Sequence, residues 1–205
     1  YFRVHRQYLL AVYFLIMRML GRKKVLNIDL LKKQNVILVD TFVLNNTSGD
    51  DGSIVNKQYK DRYYPGLLEG LEDTVKEKIY FMPTIIGFKN PIAIFNKIRK
   101  ADFNFLIHDD FLKIRDYIFV LSQPFRISRL KLPRVEFRGY QLYDILRNEK
   151  WRSSSDFISL LGLLYFRFTQ RLFEHGVKLE LVIEWYENQV LDRGMIKGLH
   201  TFYHG

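Results

Sequence analysis

The sequence predicts an α/β domain built on a mainly parallel sheet flanked by helices. Three observations carry that expectation. The run 36–44, VILVDTFVL, is apolar and β-branched almost throughout, as strands buried on both faces are. Strand-like runs then alternate with segments of helical character along the chain. No tight two-residue hairpin signal joins neighbouring strands, so right-handed βαβ connections are expected.

Taken in order, residues 5–21 read as a helix closed by Gly21, and 36–44 as the first strand. Segment 45–57, NNTSGDDGSIVNK, has loop composition and follows that strand, at the sheet edge where α/β proteins place ligands. Residues 61–76 read as a helix with Pro65 near its start, and 79–86 as a second strand. Pro83 inside that strand donates no hydrogen bond, so the strand is expected to end there or to bulge. Pro91 opens a helix over 91–100, as prolines at the first helical position do. Residues 103–107 read as a third strand and 110–121 as a helix. Residues 122–138 look irregular, and a further helix is expected over 139–150. Ser153, Ser154 and Ser155 offer N-caps for a long helix to about His175, closed by Gly176. KLELVIEW at 178–185 reads as the last strand, followed by a helix from about Glu187.

The 205 residues suit one large domain, spanning 1–205 with its core at 36–194. With no cysteine, disulfides, thiolate metal sites and a cysteine nucleophile are excluded. The opening at Tyr1, directly into an apolar stretch, leads us to expect a piece of a longer chain. The net charge of +10 is uneven: residues 1–34 hold eight Lys/Arg against one Asp, and residues 111–152 hold ten against four acids. Such clusters attract phosphates of nucleic acid, anionic lipid or small molecules alike. The apolar run Tyr8–Leu20 rises only about 20 Å as a helix, short of a bilayer's hydrocarbon core. With Arg3, Arg6, Arg22, Lys23 and Lys24 around it, it reads either as a buried helix or as one lying at an anionic membrane surface.

Polar residues at strand carboxyl ends are the candidate site. Asp40 lies in the first strand. Glu187, Asn188 and Gln189 follow the last one, with Asp192 and Arg193 beyond them. A carboxylate there serves as a general base or holds sugar hydroxyls, and amides orient hydroxyls by donating and accepting. The same residues also suit plain helix capping. Asp61, Arg62 and Tyr63, in DRYYPG, combine acid, base and rings, as carbohydrate sites do, or they begin a helix. His108-Asp109-Asp110 is either a cation cluster or a helix cap; neighbours in an extended strand point apart, which favours the cap. Phosphate-cradling, dinucleotide-binding, HExxH and GxSxG motifs are absent.

These segments, LVDTFVL (38–44), DRYYPGLLEGL (61–71), KIYFMPTI (78–85), HDDFLKIRDYI (108–118) and above all EWYENQVLDRG (184–194), resemble bacterial surface-carbohydrate (O-antigen and capsule) biosynthesis proteins. The resemblance implies a Rossmann-like domain, the acceptor-side half of a two-domain GT-B glycosyltransferase. A nucleotide-sugar donor would then be held mainly by a C-terminal domain outside this chain, and the acceptor would be a glycan or a lipid-linked sugar. It implies Glu187 as the group that binds or deprotonates the acceptor hydroxyl, with Asp61 as the rival base. Asn188, Gln189, Asp192, Arg193, Arg62, Tyr63 and Asp40 would bind substrate. No cofactor or metal is expected in this chain, and the location would be cytoplasmic, at the inner face of the plasma membrane. The alternative is a basic, non-catalytic module docking on nucleic acid or an anionic membrane. Nucleic acid is disfavoured, because the bases are not interleaved with aromatics in a known motif.

Overall fold

The computed structural model describes residues 2–23, 28–44, 53–55, 57–86, 90–185 and 189–203. Helix α1 (Phe2–Gly21) turns Ala11 and Leu15 into the core and ends where a Cβ on Gly21 would lie 2.8 Å from the Phe95 ring. The short α2 (Ile28–Lys33) feeds strand β1 (Asn35–Leu44), the length of the apolar run. Within the expected loop 45–57, residues 45–52 and 56 lie outside the described residues. Its end forms half of a small hairpin, β2 (Ile54–Val55) with β3 (Gln58–Tyr59), turning through Lys57 at φ +69°.

The helix expected over 61–76 is instead a run of turns, followed by the single-turn α3 (Asp73–Lys76). Gly66 and Gly70 sit at φ +78° and +77°, a conformation that interrupts a right-handed helix. Strand β4 (Ile79–Ile86) runs straight through Pro83, neither ending nor bulging there. The backbone N–H and C=O of Phe81 both bond to residues 104–106, away from β1. Pro83, two residues on, turns its missing N–H to that same open side, where no ladder needs it. The expected third strand, 103–107, is a single parallel bridge, Phe81 to Phe105.

Helix α4 (Pro91–Arg99) has Pro91 in its first turn, as expected. The helix expected over 110–121 divides into α5 (His108–Phe111) and α6 (Ile114–Leu121). The irregular stretch holds α7 (Gln123–Ser128), then a hairpin of β5 (Glu136–Phe137) and β6 (Tyr140–Gln141). Its two-residue turn places Arg138 at φ +51° and Gly139 at φ +82°, the type I′ geometry that matches strand twist. A tight hairpin is thus present after all, its signal reduced to one glycine. Helix α8 (Tyr143–Ser155) absorbs all three serines, and Asp156 caps α9 (Phe157–Glu174) through Ser159 N at 3.0 Å. Gly176, at φ +73°, closes α9 with bonds from Gly176 N to Phe173 O and from Val177 N to Leu172 O, a Schellman motif. Strand β7 (Lys178–Ile183) and helix α10 (Val190–Phe202) follow, the helix starting later than expected because Gln189 is its N-cap.

The sheet order is β4-β1-β7, all parallel. From β1 the chain steps outward to β4 and the 103–107 bridge, then returns to lay β7 on the other flank of β1. Alternation along β1 sorts its side chains. Val36 and Leu38 join the cluster under α1, α6, α9 and α10, while Val39 and Val43 face the opposite layer. Helices α9 and α10 cross closely: a Cβ on Gly194 would lie 2.0 Å from Gly162 O.

Candidate functional site

Because β1, β4 and β7 are parallel, their carboxyl ends share one sheet edge. A cavity of about 560 Å³ opens there, beside the point where the chain reverses between β1 and β7, the position α/β sheets offer to ligands. Asp40 and Phe42 reach it from β1, Thr84 and Ile85 from β4, and Trp185 from just beyond β7. Gln189 and Asp192 line it from the start of α10; Leu10 and Phe14 of α1 and Phe157 and Leu161 of α9 close the far side.

One wall is aromatic. The Phe42 and Tyr63 rings are 4.8 Å apart, and Tyr63 and Trp185 are 4.9 Å apart. Asp61 holds this wall from behind. Its Oδ1 accepts from the backbone N–H of Tyr63 and of Tyr64, each at 2.7 Å, and its Oδ2 accepts from the hydroxyls of Thr41 and Tyr59. Both oxygens are engaged, and through Thr41, which leaves β1 on the face opposite Asp40, Asp61 ties the Tyr63 backbone to the sheet.

The other wall is acidic. Asp40, Asp156 and Asp192 line the cavity, and no Lys or Arg does among the described residues. Burial, then the neighbouring Glu184, pushes the Asp40 carboxyl up to about 8; Asp192 adds to this and the Thr84 hydroxyl opposes it. Burial, then Asp192, lifts Glu184 to about 7. Asp192 Oδ2 accepts from Gln189 N at 2.9 Å, fixing the entry into α10. Behind Asp40 runs a polar chain: the Tyr165 phenol donates to Thr84 Oγ1 at 2.6 Å, and Thr84 donates to Asp40 Oδ1 at 3.4 Å. The Tyr165 ring packs on His108, 4.8 Å between centroids.

His108, Asp109 and Asp110 neither cap a helix nor gather around a cation. Ile107 is the cap position, and each acid is taken by an arginine from another element. Arg18 reaches Asp109 with Nε at 3.2 Å and Nη2 at 2.7 Å, and its Nη2 also meets His108 Nε2. Tyr117 donates to Asp109 Oδ1 at 2.7 Å. Burial alone would raise the Asp109 carboxyl, but Arg18 and these donors hold it well below the usual range. Burial keeps His108 neutral by lowering its pKa. Asp110 pairs with Arg99 and accepts from Lys23 N at 2.7 Å. Among the described residues no group of three or more His, Asp or Glu is placed to hold a metal ion.

Of the residues expected from sequence, Asp40, Tyr63, Gln189 and Asp192 meet at the cavity, and Asp61 stands behind it. Arg62 and Arg193 are exposed and do not line it. Glu187 and Asn188 lie outside the described residues. Sequence reasoning did not single out Thr84, Asp156, Glu184 and Trp185 as site residues. The last two stand in the EWYENQ run itself, where a carboxylate and an indole leaving a strand's carboxyl end were the available signal. Comparison with protein-family models, curated proteins and solved structures found no match.

Proposed function

We propose that this chain is the acceptor-binding half of a glycosyltransferase of surface-polysaccharide assembly, with a Rossmann-like sheet as one half of a GT-B pair and a nucleotide sugar as donor. One observation carries the reading: the buried carboxyl of Asp40 shares a cavity with the Phe42–Tyr63–Trp185 wall. Rings cover the apolar faces of a sugar, while carboxylates and amides hold its hydroxyls. The acidic lining repels phosphate, so an uncharged acceptor suits this cavity better than the donor's diphosphate.

Asp40 has the role of proton acceptor. Its pKa of about 8 lies near neutrality, where a general base works best. As the acceptor oxygen attacks the donor's anomeric carbon, the bond from that carbon to the phosphate oxygen breaks. The nucleotide leaves with the electron pair, and the acceptor proton passes to the Asp40 carboxylate. Tyr63 and Trp185 orient the acceptor, and Gln189 holds a hydroxyl.

Two measurements test this. Trp185 and Trp151 are the two tryptophans of the chain, so in a Trp151→Phe background the fluorescence of Trp185 reports saccharide entry directly. Transfer from a pool of UDP-, GDP-, dTDP- and CMP-sugars to a membrane-extract acceptor, by the chain within its full-length protein, reports catalysis. Asp40→Asn is expected to lower transfer by roughly a hundredfold or more while saccharide still quenches Trp185. Transfer undiminished in Asp40→Asn overturns its role. Saccharide binding without transfer from any donor leaves a carbohydrate-binding module in place of a transferase.

A further inference from the structure

Helix α1 has two unlike faces. Ala11, Leu15 and Arg18 are buried. Leu9, Tyr13, Ile16 and Leu20 fall within about 60° of arc on the opposite side at 3.6 residues per turn. They are respectively 67%, 50%, 40% and 63% exposed. The exposed Arg6 falls on the same side, and the helix contains no Asp or Glu. No described helix is long and apolar enough to cross a membrane.

A second exposed surface adjoins the first. The Tyr8 phenol donates to Leu121 O at 2.8 Å, fixing the N-terminal half of α1 against the point where α6 gives way to α7. There Phe125 is 70% exposed and Leu130 58% exposed. Arg129, Lys131 and Arg134 are exposed around them, and residues 122–135 include no acid. Helix α8 packs on both α1 and α7, joining the two surfaces.

We infer that α1 and the α7 region together form a docking surface for an anionic lipid bilayer, α1 lying along the interface with Leu9, Tyr13, Ile16 and Leu20 in the headgroup–acyl boundary. Apolar side chains flanked by bases, without acids, are what an interfacial helix requires, and neither part suffices alone. A second copy of the chain would bring like charge against like charge, since the exposed charges of this surface, Arg6, Arg129, Lys131 and Arg134, are all basic and neither α1 nor residues 122–135 contain an acid. A nucleic-acid backbone would satisfy the bases and leave the apolar stripe in water. Leu10, between the stripe and the buried face, also lines the cavity, so the cavity wall adjoins the docking face. The inference stands whether or not that cavity takes a sugar.

Flotation with vesicles of phosphatidylcholine, with and without phosphatidylglycerol, tests it. The protein is expected to float with the anionic vesicles alone, and to be released by salt. The exposed-site variant Leu9→Ser/Ile16→Ser should lose flotation with its circular dichroism unchanged. Arg129→Gln/Lys131→Gln/Arg134→Gln should weaken partitioning by roughly fivefold per charge removed. Wild-type protein that stays with neither vesicle overturns the inference, as does a Leu9→Ser/Ile16→Ser variant that floats like wild type. Sedimentation showing a wild-type dimer that this variant dissolves would reassign the face to a second copy and overturn it equally.

Discussion

The Tyr165 phenol and the Thr84 hydroxyl meet at 2.6 Å, joining α9 to β4 at the back of the cavity. Thr84 passes its own proton toward Asp40, so the chain of donors runs one way, from the core to the carboxyl. Thr84→Val removes the last donor. Asp40 should then titrate higher, by about half to one pH unit, because the bond favours the charged form. Carboxyl chemical shifts followed through a pH titration measure this directly.

Stability should fall with rising pH between about 6.5 and 8, above the range in which His108 and His175, whose pKa values burial lowers, give the opposite slope. Asp40, pushed up to about 8, and Glu184, pushed up to about 7, both bind protons in the folded chain that they release when unfolded. In that window the native state holds the extra proton, so the contribution is complete below the unfolded value and lost as pH rises through the folded one. Urea unfolding across pH should show the slope. Asp40→Asn should flatten most of it and gain on the wild type above pH 8.

Arg18 and Asp109 are both buried, and each is the other's charge partner. Asp109→Ala leaves the guanidinium uncompensated and should cost about 3 to 5 kcal/mol. Arg18→Met combined with Asp109→Leu should cost less than the two single changes added together. A double-mutant cycle in urea gives the coupling directly.

Gly194→Ala should destabilise by about 1 to 3 kcal/mol, since its Cβ would meet a backbone carbonyl that has nowhere to go. Gly139→Ala, at positive φ with nothing nearby, should cost about 1 kcal/mol through strain alone. Melting temperatures of the pair separate crowding from backbone strain.

What could be read in the sequence follows how local its cause is. VILVDTFVL declares a strand buried on both faces because every side chain in it is apolar or β-branched, apart from Asp40. Gly176 declares its cap through its own backbone freedom. The turns at 62–70 were hidden because leucines at 67, 68 and 71 imitate a helical stripe while Gly66 and Gly70 forbid the helix. Pro83 misled because its harmlessness depends on which neighbour lies on each side of β4. At the site, Asp40 and Tyr63 were visible as residues, but their meeting with Gln189 and Asp192 depends on a chain reversal that no local pattern encodes. The roles of Asp109 and Asp110 were hidden for the same reason: Arg18 and Arg99 come from other elements.

The close seat of Gly162 and Gly194 has a mechanical consequence. With backbone touching backbone, α9 and α10 form a single stiff plate that cannot slide or spread. Phe157 and Leu161 ride on one half of that plate, Gln189 and Asp192 on the other. Those four lining residues therefore keep fixed positions relative to one another, as one jaw of the cavity.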